Sequence, residues 1–180
     1  MMKHQGEGRL ASASEKPSCT VRAAGPSDVA EIVRVTNAAY VVEQFCLQGE
    51  RTDAADVRQR MDGGQFLVIG DPAAPSTLRG SVYVSMQDGR GYLGTLAVDP
   101  QCQGLGLARA LVAAVAERCR LAGCAFLDIT VVNLRKELFP FYARFGFFPS
   151  AVLPFPRRGK VLQPLHLVQM TKPLRAAEEL

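Results

Sequence analysis

Val98-Asp99-Pro100-Gln101-Cys102-Gln103-Gly104-Leu105-Gly106-Leu107-Ala108-Arg109 places two glycines, two residues apart, at the head of an apolar helical pattern. Leu107, Leu111, Val115 and Leu121 continue that pattern and predict a long helix from about Gly104 to Ala122, closed by Gly123. A glycine lets a backbone N–H approach a ligand with no Cβ in the way. The unpaired N–H groups of a helix start, at the positive end of its dipole, favour phosphate. The segment therefore reads as an anion site of pyrophosphate size, the alternative being glycines that only permit tight helix–strand packing. Two nucleotide motifs fail on specifics. No Lys-Ser or Lys-Thr follows the glycines, and Arg109 stands where a dinucleotide fingerprint needs its third glycine. The turn also comes late in the chain, after a hairpin, rather than in a first βαβ unit.

The flanking sequence supplies the hairpin. Gln65 to Ile69, Leu78 to Met86 and Tyr92 to Val98 are rich in Val, Leu, Tyr and Phe, and Asp88-Gly89 between the last two predicts an antiparallel pair. After the long helix, Phe126 to Val132 is an apolar strand. Strand, helix and strand in succession predict a right-handed crossover that makes Tyr92–Val98 and Phe126–Val132 parallel neighbours. Upstream, Cys19 to Arg22 reads as a strand and Asp28 to Tyr40 as a helix, buried through Val29, Ile32, Val33, Thr36 and Tyr40, with Asp28 and Glu31 as a capping box. A second helix, Asp53 to Met61, is capped by Thr52 and stopped by Gly63-Gly64. Downstream come a short helix from Glu137 to Phe145 with Pro140 in its first turn, a strand from Gly146 to Val152, a Pro-rich loop and a last strand from Leu165 to Lys172.

Whole-chain properties set limits. The 180 residues, 48% of them hydrophobic, suit one domain, expected over residues 18–173, between an N-terminal tail (1–17) and a C-terminal tail (174–180). The net charge of +4 falls short of the clustered basic stripe of a nucleic-acid binder, so no nucleic-acid partner is expected. Five cysteines with no C-x-x-C pair read as small buried hydrophobes in a reducing compartment, with no metal site. Neither a secretory signal nor a membrane span is legible, and the expected location is the cytoplasm.

At this point the residues resemble the GNAT superfamily of N-acetyltransferases. Gln103-Gly104-Leu105-Gly106-Leu107-Ala108 matches that family's Q/R-x-x-G-x-G/A motif, after a strand ending in Val98-Asp99-Pro100. Phe141-Tyr142-Ala143-Arg144-Phe145-Gly146-Phe147 looks like its Tyr-x-x-x-Gly-Phe segment. The resemblance implies an α/β fold of the mixed α+β kind: a central, mostly antiparallel sheet, flanked by helices, with one splayed parallel pair. It implies acetyl-CoA as co-substrate, with Leu96, Ala97 and Val98 on the pantetheine arm and Gln103, Gly104, Leu105, Gly106, Leu107, Ala108 and Arg109 around the pyrophosphate. Asn133 is carried over as a further cofactor contact, although it lies nine places before Tyr142 where the family spacing is seven. Arg135 holds the seven-place position.

Acetyl transfer to an amine needs a neutral amine, a polarised thioester carbonyl and a protonated leaving thiolate. Tyr142 matches the family's general acid, and a backbone N–H near Leu96 or Ala97 suits the carbonyl. The base is left open among Glu43, Asp128, His166 and a water chain. The acceptor is expected between Tyr40–Glu50 and Pro154–Pro164, where Glu43 and Glu50 suit an amine and Arg157-Arg158-Gly159-Lys160 an acidic group. The expected function is transfer of acetyl from acetyl-CoA to a primary amine of a small molecule or peptide, by direct transfer in a ternary complex. The alternative is a catalytically inactive CoA-binding sensor or interaction module. A homodimer is compatible with either.

Overall fold

The computed structural model describes residues 20–156 and 160–174. β1 (Val21–Ala23) leads through a one-turn helix at Pro26–Asp28 into α1 (Val29–Tyr40). The expected strand start at Cys19 lies outside the described residues. The capping box expected of Asp28 and Glu31 does not form: Pro26 opens an extra turn, so Asp28 stands at the N-cap of α1 in helical backbone and its carboxylate turns back to Gly25 instead of capping α1. The Asp28 carboxylate accepts the Gly25 N–H and two N–H groups of the Arg22 guanidinium, each at 2.8 Å. Glu31 bonds Arg34 and the Leu78 N–H. α1 buries Val29, Ile32, Val35 and Thr36, so Val35 takes the place expected of Val33.

β2 (Leu47–Gln48) and α2 (Ala54–Gly63) follow, and the cap of α2 is Asp53 rather than Thr52. The Asp53 carboxylate accepts the Asp56 N–H at 2.8 Å, while the Thr52 hydroxyl donates to the Asp56 side chain. β3 (Gln65–Asp71), β4 (Ala74–Gln87) and β5 (Arg90–Val98) form a meander, with Asp88 and Gly89 both at positive φ in the expected hairpin turn. β4 begins four residues earlier than its Leu78 pattern indicated. α3 runs Leu107–Leu121, so Gly104 and Gly106 precede it instead of beginning it. β6 (Phe126–Val132), α4 (Leu138–Ala143), β7 (Phe148–Pro154), β8 (Lys160–Val161) and β9 (His166–Pro173) complete the order.

Seven strands form one sheet in the order β1-β3-β4-β5-β6-β9-β7, and β2 pairs with β8 in a separate two-stranded sheet. Every neighbouring pair in the large sheet is antiparallel except β5 with β6. Alternation along β3 covers both faces. Leu67 and Ile69 pack with Leu111, Val112 and Val115 of α3, while Phe66 and Val68 pack with Ile32 of α1 and Val57 of α2. Each such fully buried aliphatic contributes about 1.5–3 kcal/mol. Leu174, assigned to the tail, donates its N–H to Ala125 O at 2.9 Å and packs on the α3 core. Cys46, Cys119 and Cys124 are buried and Cys102 is half-buried, all as free thiols.

Candidate active site

β5 and β6 pair only through Arg90–Tyr92 and Phe126–Asp128, after which they separate. On its other side β5 carries one residue more than β4: Gly94 pairs with Tyr83 and Ala97 with Ser81. Thr95, at φ +46°, and Leu96 form this bulge and have no register partner on β4. The bulge and the splay together leave β5 backbone facing an opening. Beyond Val98, Asp99 accepts the Gln101 N–H at 3.0 Å and an Arg34 N–H at 2.7 Å, which fastens the glycine turn to α1. Gly104 and Gly106 both have φ +80°, and a Cβ on either would meet nothing within 4 Å. The packing alternative therefore fails: left-handed backbone, not crowding, selects glycine at both positions. Leu107, Ala108 and Arg109 follow as the first three residues of α3, whose N–H groups have no acceptor within the helix.

A cleft of about 880 Å³ lies against this turn, lined by Leu96, Val98, Gln103, Gly104, Gly106, Leu107, Ala108 and Arg109 on one side and by Arg135, Phe141, Tyr142 and Arg144 on the other. Of the expected cofactor residues, Ala97 is turned into the core, the exposed Leu105 does not line the cleft, and neither does Asn133. The Asn133 side-chain oxygen Oδ1 accepts the His166 backbone N–H at 3.1 Å, a tie between the ends of β6 and β9. Arg135 reaches the cleft in its place.

Tyr142 is 8% exposed and stacks edge-on with Phe141 and Phe147. Its phenol has no hydrogen-bond partner among the described residues, and burial raises its pKa well above the ordinary tyrosine value, which keeps it protonated. A second cavity of about 590 Å³ lies beyond, bounded by Tyr92, Thr95, Thr130, Arg51 and Phe155. The two cavities share Tyr40, Glu43, Leu138 and Tyr142.

Of the three acids and bases considered, one lines this junction. Glu43 is 6% exposed, its Oε1 accepts an Arg135 N–H at 3.1 Å, and its Oε2 is buried with no partner. Burial pushes its carboxyl up, and the guanidinium groups of Arg51 and Arg135 only partly offset that. Asp128 lies away from both cavities in a closed cluster: two Arg90 N–H bonds at 2.7 Å and the Thr171 hydroxyl at 2.6 Å. Burial raises its pKa, but Arg90 and Thr171 outweigh burial and hold it below the ordinary carboxylate range. His166 is exposed and lines neither cavity. Arg157, Arg158 and Gly159 of the expected basic loop lie outside the described residues. Phe155 and Glu50 do line the second cavity, as expected of acceptor-side residues. Sequence reading passed over Arg51, Thr95 and the Arg34–Asp99 fastening. Only the bulge had a possible signal, a Gly94-Thr95 step inside a strand.

Comparison with known proteins agrees with this architecture. Residues 37–168 match the acetyltransferase (GNAT) domain family model. The chain is 37% identical over 100 residues to a mycothiol acetyltransferase of Mycolicibacterium paratuberculosis, covering 50% of this chain and 31% of that protein. It is 35% identical over 129 residues to a mycothiol acetyltransferase of Propionibacterium freudenreichii, covering 67% of this chain and 40% of that protein. The chain thus spans about a third of the length of the curated relatives it matches. The crystal structure of the Escherichia coli ribosomal-protein-S18-alanine N-acetyltransferase shares the fold, with a TM-score of 0.71 at 17% identity over 89% of this chain and 97% of that one. Among the described residues no helix is long and apolar enough to cross a membrane. With the family model spanning most of the chain and the splayed strands, glycine turn and paired cavities in place, this chain belongs to the GNAT acetyltransferase domain family.

Proposed function

We propose that this protein transfers the acetyl group of acetyl-CoA to a primary amine of a small molecule or peptide, in a complex that holds both substrates at once. The observation that carries this reading is the meeting of the two cavities at Glu43 and Tyr142. One cavity ends on the anion-binding turn. The other opens on polar acceptor-side residues.

The residues present fit acetyl-CoA. The left-handed Gly104 and Gly106, with open space where a Cβ would stand, and the free N–H groups of Leu107, Ala108 and Arg109 make a cradle for a pyrophosphate. Gln103 lines the same wall, and Leu96 and Val98 of β5 line the cleft where an extended pantetheine arm would lie. Acetyl-CoA, when bound, supplies the acetyl group as an activated thioester. Glu43, held as a carboxylate by Arg135 but raised toward neutrality by burial, accepts the first proton of the incoming ammonium. The β5 backbone at Thr95 and Leu96, which has no register partner on β4, polarises the acyl carbonyl in this reading. As the N–C bond forms and the C–S bond breaks, the Tyr142 phenol protonates the departing thiolate. The second proton of the nitrogen restores the phenol, and one proton passes from Glu43 to solvent. The free thiols of Cys46, Cys102, Cys119 and Cys124 suit a reducing compartment, in line with a cytoplasmic enzyme.

Release of CoA thiol from acetyl-CoA, measured over a panel of small amines and short peptides, tests this. Turnover on at least one amine is expected, with Tyr142→Phe lowering kcat about 100-fold at unchanged fold. Acetyl-CoA binding without turnover on any of them would favour the non-catalytic module.

A further inference from the structure

Among the charged groups of the acceptor cavity that acetyl transfer itself does not use (Glu50, Arg51, Asp56 and Arg60), Arg51 stands at the junction with the cofactor cleft. The Arg51 backbone is pinned to α1, since the Asn37 side-chain oxygen accepts the N–H of Arg51 at 2.9 Å and that of Thr52 at 3.0 Å, while the Asn37 amide donates to Thr52 O at 3.0 Å. Its guanidinium stands over the Tyr40 ring, 4.9 Å from the centroid, at the edge of the junction shared by the two cavities. It forms no ion pair among the described residues, not even with its exposed neighbour Glu50, which lines the same cavity. The other two arginines nearby are occupied: Arg60 by Asp56 at 2.9 Å, and Arg135 between Glu43 and Glu137.

Glu43 lines the same junction as Tyr40, buried, with one carboxylate oxygen bonded to Arg135 and the other lacking any donor among the described residues. A buried charged acceptor with a place unfilled is costly, and a donor arriving from the cavity relieves that cost. The cavity thus offers a buried acceptor lacking a donor beside a solvent-exposed guanidinium that feels Glu43 through space but holds no ion pair of its own among the described residues. A polyamine would bring its second positive charge past Arg51 and would have Glu50 as its counter-charge in this lining. A neutral-tailed amine would leave the guanidinium unmatched. An amine that also bears a carboxylate answers both groups, and the planar guanidinium fork matches a carboxylate in two hydrogen bonds.

We propose that the acceptor is an amino acid in the broad chemical sense: a primary amine directed to Glu43 whose carboxylate, a few bonds away, is taken by Arg51. This rests on the acetyl-transfer reading and names its substrate class.

The test uses the full chain with acetyl-CoA and matched sets of amines: free α- and ω-amino acids, the amide of each and the corresponding decarboxylated amine. CoA release gives kcat/KM, and the thermal shift caused by acetyl-CoA is followed alongside. The expected result is a kcat/KM at least about 30-fold higher for the best acid than for its amide, mostly through KM, as befits a charge-assisted two-point contact. In Arg51→Gln that ratio should fall toward one, and Arg51→Lys should restore part of it. The acetyl-CoA shift reports that each variant is folded. If Arg51→Gln loses that shift, the native ratio and that of Arg51→Lys decide alone. A native ratio near one, or a ratio unmoved in folded Arg51→Gln, overturns the substrate assignment and leaves acetyl transfer standing. An acetyl-CoA shift with no amino acid acetylated also overturns the assignment. Absence of both the shift and any acetylation overturns the acetyl-transfer reading and the assignment with it.

Discussion

Asp128 and Glu43 are both acids under 10% exposed, and both face an arginine, yet they do opposite things. Asp128 lies where β5 and β6 are still hydrogen-bonded. Its oxygens are filled by Arg90 from the neighbouring strand and by Thr171 from β9. Glu43 belongs to the opening beyond the point where those strands part, and one of its oxygens has no donor. A carboxylate with both oxygens answered by protein is a brace. One with an oxygen left without a donor, on a residue that lines two cavities, is available for chemistry. The difference follows from strand pairing: three register pairs hold β5 to β6, and past Tyr92 the bulge at Thr95 and Leu96 turns β5 away.

Substitution at the two acids should separate these roles most sharply. Glu43→Gln is expected to lower kcat/KM by about 100-fold or more, the range for removing a general base. Because burial raises the Glu43 pKa, native kcat/KM should fall as pH drops through a value above the usual carboxylate range, and this limb should vanish in Glu43→Gln. A retained limb would move the base elsewhere. Asp128→Asn should instead leave kcat near native and cost about 2 kcal/mol, seen as a Tm lower by about 4–8 °C at neutral pH. The sign of its pH dependence is fixed by its lowered pKa. The folded-state carboxylate holds its proton less tightly than the unfolded one, so its stabilisation is present above the unfolded pKa and disappears as pH falls through the folded one. The Tm gap between native and Asp128→Asn should therefore close in acid.

Two smaller effects test the cofactor wall. Gly106→Ala places a Cβ at φ +80°, which costs backbone strain of about 1–2 kcal/mol read as a lower Tm, and sets that Cβ in the open space of the pyrophosphate cradle, read as a weaker acetyl-CoA Kd. Arg34→Met removes the hold on Asp99 and should raise the acetyl-CoA KM a few-fold, with kcat little changed.

The cofactor wall was legible in sequence because its signals are local. Two glycines two residues apart, a Val-x-Pro strand end and a helix with period-3.6 leucines all fall within residues 98–121. The hairpin was legible for the same reason, through Asp88-Gly89. The acceptor wall is built from distant segments: Glu43 after α1, Arg51 before α2, Thr95 in the bulge and Phe155 after β7. No spacing rule connects them. Glu43, Asp128 and His166 stood level as bases because sequence shows neither which acid is braced nor which imidazole faces solvent. β2 and β8 went unseen because two-residue strands carry no period, and their pairing of Leu47 with Val161 spans most of the chain. Thr52 and Asp53 show the limit at short range: either can cap a helix, and only the backbone decides between them.

The most direct measurement is the thermal shift of the protein with acetyl-CoA, free CoA, NAD and ATP, each at about 100-fold excess over a micromolar Kd. The account predicts stabilisation by about 2.7 kcal/mol, a Tm rise of about 5–10 °C, with the two CoA species alone, diminished in Gly106→Ala. Equal shifts with NAD or ATP, or none with acetyl-CoA, would contradict it.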